Sequence, residues 1–170
     1  MNTEHSDWIF TYGANMDLAA LQHFFRSEEF YDARILFVEP ARLDGYQLVW
    51  NYYSPNRNGG AANIERAPER NLPGLLLCVN EQAQIAIDWK EGNGSYYDRG
   101  KQKIAVSLLR GGELQAWVYA AAPKRISSRI EPPRQTYLNV LLAAAERYQL
   151  PDWYRAELAA TPVRELSRLS

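Results

Sequence analysis

Strand-like segments fill the first two thirds of this chain of 170 residues, and helical character takes over after the Pro132-Pro133 pair. Beyond that pair, apolar and aromatic side chains recur along one helical face at Tyr137, Val140, Leu141, Ala144 and Tyr148. A second, shorter helix is predicted over residues 153–160. Strands followed by helices are typical of an α+β fold, and we expect a curled sheet that is largely antiparallel or mixed.

The strand-like part divides into recognisable elements. Residues 8–12 read as a strand that stops at Gly13, and residues 17–25 as the helix that follows. Residues 35–39, 46–52 and 74–79 are further strand candidates, and residues 81–89 form a short helix. Gly111-Gly112 suits a hairpin turn between strands over 103–109 and 114–120. Residues 54–71 and 90–95 are predicted as loops, with a brief strand at 61–64.

Composition excludes several classes of protein. The length and the 46% hydrophobic content fit one domain over residues 1–170, with its core at about 8–160. A formal net charge of −1 argues against nucleic acid as the main partner. No stretch approaches the roughly 20 apolar residues of a membrane span, and the polar N-terminus is unlike a signal peptide, so we expect a cytoplasmic protein without a membrane partner.

The residues available for metal or thiol chemistry are few. The single cysteine, Cys78, lies inside an apolar run, which favours a buried structural thiol over a catalytic one. His5 and His23 are isolated, so no zinc site is expected, and no phosphate loop or serine-hydrolase elbow is present. No feature of the sequence fixes an oligomeric state.

Two loops could carry chemistry. The first joins a strand to a helix, where backbone N–H groups and the positive end of the helix can receive a carboxylate or an oxyanion. Its alternative is an ordinary turn with Asn15 or Asp17 as the helix cap. This candidate substrate-binding loop consists of Thr11, Tyr12, Gly13, Ala14, Asn15 and Met16.

The second loop contains Glu91 among aromatic and glycine residues, where partial desolvation would raise its carboxyl pKa toward the range of a general base. The alternative is a solvated helix end, in which Asp88, Lys90 and Glu91 are surface charges. Arg99 could likewise be a surface ion-pair partner of Asp98 or Glu91. Spacing alone leaves these alternatives open.

Taken together, four blocks resemble the γ-glutamylcyclotransferase family. Residues 10–16 look like its Tyr-Gly-Ser-Asn-Leu/Met signature, with Ala14 where the family usually has Ser. Asp88-x-x-Glu91-Gly92 followed by Tyr97-x-Arg99 resembles the family's Asp-x-x-Glu-Gly and Tyr-x-Arg element. Residues 59–64 are similar to its Gly-Gly-x-Ala-x-Ile segment, and residues 133–151 to its Pro-x-x-x-Tyr helix with a Leu-Pro stop.

The resemblance implies a small mixed β-barrel flanked by helices, with the two loops meeting at one cavity. It implies that Glu91 is the acid/base residue, that the backbone from Tyr12 to Asn15 binds the γ-glutamyl group, and that Tyr97 and Tyr137 line the pocket. Tyr96 could replace Tyr97, because the loop after Glu91 is one residue shorter than the family pattern. Ala14 keeps a backbone N–H but loses the family hydroxyl.

The implied reaction converts a small-molecule γ-glutamyl amide into 5-oxoproline and a free amine, with no metal and no organic cofactor. The alternatives are a non-catalytic metabolite-binding module on the same fold and an amidohydrolase in which Glu91 activates water. Selection of the leaving amine is expected from residues 51–71. Tyr52, Tyr53 and Arg57 are candidates for that rim, with plain surface exposure as the alternative.

Overall fold

The computed structural model describes residues 5–166. A closed barrel of five strands in the order β1-β3-β2-β5-β6 forms its centre, and a two-stranded sheet, β4-β7, lies beside it. The strands are β1 Ser6–Thr11, β2 Ile35–Ser54, β3 Gly59–Asn80, β4 Tyr97–Asp98, β5 Ile104–Leu108, β6 Glu113–Val118 and β7 Ala120–Ala121. The α-helices are α1 Leu18–Ser27, α2 Glu81–Glu91, α3 Gln135–Arg147 and α4 Asp152–Ala159.

The barrel is mixed, as the resemblance implied. Four of its five strand pairs are antiparallel, and β1 closes the barrel by pairing parallel to β6. Closure gives each of the five strands two neighbours, which reduces the number of unpaired backbone groups that promote aggregation. The helices pack outside the barrel, and the predicted α+β class with a small mixed barrel is confirmed.

The loop predicted over residues 54–71 is largely wrong. Strand β3 begins at Gly59 and pairs with β2 through most of this stretch. Pro68 is tolerated because the pairing register passes from Arg66 directly to Asn71, so the proline faces no partner on β2. Position 60 has to be glycine in this packing, because the Cβ of any other residue would lie 1.8 Å from the carbonyl oxygen of Glu131. Glycine and proline here mark a close approach and a bulge in a strand.

The second half of β3 is the most buried element. Every residue from Leu72 to Asn80 is buried, which explains the uninterrupted apolar run of a strand covered on both faces. Cys78 lies in this segment, and burial raises the pKa of its thiol. Helix α3 adds Leu138, Leu141 and Ala145 to the same core. This packing fixes the strand from which α2 departs.

The other predicted elements are present with adjusted boundaries. The hairpin of β5 and β6 turns at Gly111 and Gly112, which have φ values of 101° and 97°. Helix α2 extends to Glu91, so the loop predicted over 90–95 begins at Gly92, which caps the helix in the left-handed conformation. Glu91 therefore projects from the last turn of a helix, which is a more rigid support than a loop.

Candidate active site

One cavity of about 1170 Å³ brings the two candidate loops together. Its inner wall is formed by the N-terminal loop after β1 and by the last turn of α2. Its exposed mouth is formed by the turn between β2 and β3 and by side chains of the segment from Lys124 to Glu131, and Tyr137 from the first turn of α3 belongs to the buried wall. This size fits a small-molecule ligand.

The N-terminal loop contains one 3-10 turn, Ala14–Met16, followed by the start of α1. Asp17 caps this helix, since its carboxylate accepts a hydrogen bond from the N–H of Ala20 at 3.1 Å. Asn15 is therefore free of the capping role that the sequence left open for it. Gly13 allows a close approach, because a Cβ at this position would lie 3.1 Å from the hydroxyl of Tyr137.

Asn15 connects the two loops through its side-chain amide. Its Nδ2 donates a hydrogen bond to Glu91 Oε1 at 2.8 Å, and its Oδ1 accepts one from Lys90 Nζ, also at 2.8 Å. The ammonium of Lys90 lies 3.8 Å from Glu91 Oε1. These contacts fix the orientation of the amide, because a flipped Asn15 would present its NH2 group to a cation. The carboxylate is 17% exposed, so it is held by partners and still reachable from the cavity.

The charge of Lys90 sits in a largely desolvated position. Burial lowers the pKa of the Lys90 ammonium, and the Glu91 carboxylate offsets part of this effect. Arg57 lowers the pKa of Lys90 further because it adds a second positive charge nearby. The pair formed by Lys90 and Glu91 is therefore an internal feature of the cavity and differs from the solvated helix end considered above.

Two buried tyrosines, Tyr12 and Tyr137, and the half-buried Tyr97 line the wall around Gly13. Tyr12 donates its hydroxyl hydrogen to the carbonyl of Tyr119 at 2.6 Å, and Tyr97 donates to the carbonyl of Ala62 at 2.8 Å. The hydroxyl of Tyr137 accepts a hydrogen bond from the N–H of Ala62 at 3.2 Å. Burial raises the pKa of all three phenols, so they stay neutral hydrogen-bonding groups at ordinary pH.

Asp88, one turn before Glu91, anchors α2 to the barrel. Its carboxylate accepts hydrogen bonds from Arg99 Nε at 2.8 Å and from the hydroxyl of Tyr119. Arg99 also stacks over Trp117 of β6, with its guanidinium carbon 4.1 Å from the ring centroid. The ion-pair partner of Arg99 is therefore Asp88, and neither Asp98 nor Glu91 fills this role. The pair holds the end of α2 against β6.

Most of the sequence-predicted site residues meet at this cavity, and one does not. Met16 is 1% exposed and packs in the core, so it supports the loop from behind. Tyr96 and Tyr97 both line the cavity, but Tyr97 is the one that bonds to the wall, whereas Tyr96 is half exposed at the mouth. The residues brought together are Thr11, Tyr12, Gly13, Ala14, Asn15, Glu91, Tyr97 and Tyr137, with Tyr52, Tyr53 and Arg57 toward the mouth.

Sequence reasoning missed two groups of cavity residues. Lys90 was treated only as a surface charge, although its place beside Glu91 on the same helix end was a usable signal. Lys124 and Arg125 follow Pro123 in a 3-10 turn, and no local pattern indicated that this turn reaches the cavity.

Two further observations concern the described part of the chain. Residues 5–166 contain no cluster of three His, Cys, Asp or Glu side chains arranged to hold a metal ion. Within the same residues, no helix is both long and apolar enough to cross a membrane.

Comparison with known proteins defines the class to which this barrel and cavity belong. The family described as gamma-glutamyl cyclotransferase, AIG2-like, matches residues 9–139. The chain therefore belongs to the AIG2-like gamma-glutamyl cyclotransferase family, as its motifs indicated. A comparison with curated proteins gives no match.

Solved structures share the fold at low sequence identity. A gamma-glutamyl cyclotransferase superposes with a TM-score of 0.79 at 21% identity, over 96% of this chain and 92% of that one. A protein from Homo sapiens described as uncharacterized gives 0.77 at 22% identity, with the same coverage of both chains. A gamma glutamyl cyclotransferase specific to glutathione, from yeast, gives 0.62 at 12% identity, over 90% of this chain and 93% of its own.

Proposed function

We propose that this protein is a cyclotransferase that converts a γ-glutamyl amide into 5-oxoproline and a free amine, with Glu91 as the general base. The observation that carries the proposal is the 2.8 Å hydrogen bond between Asn15 Nδ2 and Glu91 Oε1. It joins the helix that carries the carboxylate to the loop suited to receive an oxyanion. Family membership supports the same reaction class.

The reaction is intramolecular on the substrate. The α-amino nitrogen and the γ-carbonyl carbon of a γ-glutamyl group close a five-membered ring, so the protein has to fold the substrate and move a proton. The Glu91 carboxylate takes a proton from the α-ammonium. The free amine attacks the γ-carbonyl carbon, forming the ring C–N bond and a tetrahedral oxyanion.

Collapse of the intermediate uses the same carboxyl group. Glu91 returns the proton to the leaving nitrogen and the old C–N bond breaks, while the ring nitrogen gives up its second proton to solvent, so that 5-oxoproline and the amine are released. Backbone N–H groups of residues 12–15, beside the buried tyrosines, are suited to stabilise the oxyanion. No residue outside the cavity is needed for these steps, and we propose that they need no metal ion.

The contacts of Glu91 suit this double role. Asn15 and Lys90 both approach one oxygen of the carboxylate, Oε1, and so hold the side chain in place. The second carboxylate oxygen has no hydrogen-bond partner among residues 5–166, so it is the atom that can face the substrate.

The test is product identification. The purified protein is incubated with γ-glutamyl amino acids and γ-glutamyl amines, with and without a chelator, and the products are separated by mass spectrometry. We expect 5-oxoproline, released at the same rate in both conditions. Free glutamate would identify the amidohydrolase alternative, and binding without turnover would identify the metabolite-binding module. A rate abolished by the chelator would contradict the metal-free mechanism.

A further inference from the structure

The cavity carries a charge opposite to that of the whole chain. Two carboxylates line it, Glu91 and Glu131, against six basic side chains, whereas the full chain has a formal net charge of −1. The lining therefore has a formal excess of four positive charges. The basic side chains are Arg57, Lys90, Lys124, Arg125, Arg129 and Arg164. A cleft lined by one sign of charge concentrates ligands of the other sign.

The excess charge is concentrated at the mouth. Glu131 lies 3.6 Å from Arg129 and 4.0 Å from Arg164, and Lys90 already faces Glu91. Arg57, Lys124 and Arg125 remain, and none of them forms an ion pair with another residue of the range 5–166. These three side chains, which we call the mouth cations, can therefore accept an anionic ligand without breaking an existing ion pair.

Arg57 and Arg125 are each held in place by an aromatic ring of the cavity lining. Arg57 stacks on Tyr137, with its guanidinium carbon 4.2 Å from the ring centroid, and Arg125 stacks on Tyr96 at the same distance. Arg125 Nε also donates a hydrogen bond to the Ser95 carbonyl at 3.3 Å. Stacking on an aromatic ring occupies the flat face of a guanidinium. The N–H groups at its edge stay available, and two of them can donate parallel hydrogen bonds to the two oxygens of a carboxylate.

The position of the mouth cations assigns them to the leaving group. Glu91 and the N-terminal loop occupy the inner end of the cavity, where the reacting atoms of the γ-glutamyl group must lie. The carboxylate of that group can neutralise at most one of the three cations. We infer that this cavity selects γ-glutamyl substrates whose leaving amine itself carries a carboxylate, with Arg57 and Arg125 as its binding residues. This inference rests on the proposed function.

A matched pair of substrates tests the inference. γ-Glutamyl-alanine and γ-glutamyl-alaninamide have nearly the same shape and differ by one negative charge on the leaving amine. We expect kcat/KM to favour the carboxylate by about tenfold, the lower limit for hydrogen bonds to a charged group. Arg57→Gln and Arg125→Gln should each reduce this ratio, because kcat/KM for γ-glutamyl-alanine should fall more than kcat/KM for the alaninamide.

The control is Arg110→Gln. It removes the same charge from an exposed turn that pairs with Glu39 outside the cavity, and it should leave the ratio unchanged. Equal kcat/KM values for the two substrates would overturn the inference, as would a preference that survives in the double variant of Arg57 and Arg125. In both cases the release of 5-oxoproline would still support the proposed function.

If neither substrate is turned over, binding measurements distinguish the proposed cyclotransferase function from the inferred carboxylate site. In the Glu91→Gln variant, calorimetry should give a dissociation constant for γ-glutamyl-alanine about tenfold lower than for the amide. Failure to release 5-oxoproline from either substrate would overturn the proposed function, while this preference would still support the mouth cations as a carboxylate site. Equal affinity, or no binding of either compound, would overturn the inference.

Discussion

At the scale of single residues, the orientation of one amide determines how Glu91 is presented. Asn15 donates to Glu91 and accepts from Lys90, so the ammonium selects the amide orientation that the carboxylate needs. Lys90 acts through Asn15 and through its charge, and it is a positioning residue. Burial of the Lys90 ammonium is unfavourable, and this lowers its pKa, although the neighbouring Glu91 carboxylate offsets part of the effect.

Replacing Lys90 by Met should affect the reaction in a way that a purely structural change would not. We expect kcat/KM to fall about tenfold, since a hydrogen bond from a charged group is lost. The loss should fall on kcat while KM stays near the parental value, because Lys90 holds the Glu91 carboxylate in place through Asn15. Steady-state kinetics measures both constants.

The control for this prediction is Lys101→Met, which removes a charge from an exposed loop outside the cavity. It should leave kcat and KM of the parent protein unchanged. A Lys90→Met variant that keeps the parental kcat, or loses activity through KM alone, would contradict a positioning role for Lys90.

The residues of the proposed site were partly predictable from the sequence. Glu91 and residues 11–15 stand in blocks with a recognisable order, so their joint presence indicated one site. Arg125 could not be found this way, because its path to the cavity depends on the tertiary packing of residues 124–131 against β2 and β3. The hydrogen bonds from Ser127 N to the Asn51 carbonyl and from Glu131 N to the Trp50 carbonyl make that contact.

At the scale of elements, the long hairpin of β2 and β3 supports the mouth of the cavity. The N–H of Gly60 donates to the Pro132 carbonyl at 2.9 Å, which holds residues 131–132 against β3. Sequence reasoning interpreted Gly59, Gly60 and Pro68 as loop residues, because local propensity contains no information about a partner strand. The pairing with β2 and the close approach of Glu131 decide the conformation here, and both are tertiary effects.

Gly60→Ala tests this contact. A Cβ at this position would lie 1.8 Å from a backbone oxygen, so the segment has to move, and we expect the free energy of unfolding to fall by about 2–4 kcal/mol. Urea unfolding measures the change. Gly111→Ala is the control. A Cβ at this position has no heavy atom within 4 Å, so the penalty comes from the positive φ, and the free energy of unfolding should fall by about 1–2 kcal/mol. A Gly60→Ala variant no less stable than this control would contradict the packing described.

At the scale of the whole molecule, the fold withdraws six phenol groups from water. Six of the eleven tyrosines have a raised pKa, with burial as the largest cause in each case. They are Tyr12, Tyr52, Tyr97, Tyr119, Tyr137 and Tyr154. The hydroxyls of Tyr12, Tyr97, Tyr119 and Tyr137 form hydrogen bonds in the cavity wall, whereas the hydroxyl of Tyr154 is buried without a partner among residues 5–166.

These groups predict a loss of stability in alkali. Above about pH 10 the unfolded chain releases phenolic protons that the folded state keeps, so stability is fully present below this pH and falls above it. Each such group contributes a slope of up to about 1.4 kcal/mol per pH unit. Lys90 acts in the opposite direction below its ordinary pKa, but it is one group against six.

Urea unfolding between about pH 8 and about pH 11, with tyrosinate absorbance of the folded protein in parallel, measures this effect. We expect the free energy of unfolding to fall steeply over the last pH unit while a minority of the tyrosines ionise in the folded state. A flat stability profile, or ionisation of most tyrosines before unfolding, would contradict the burial described.

Glu91→Gln tests whether Glu91 moves the proton in the proposed cyclisation. The change keeps the shape of the side chain and removes its ability to accept a proton, so 5-oxoproline release should fall by about 10²–10⁴-fold with substrate binding retained. Glu81→Gln, at the exposed first turn of the same helix, is the matched control and should keep parental turnover. Equal rates of 5-oxoproline release by Glu91→Gln and the parent protein would contradict the assignment of Glu91.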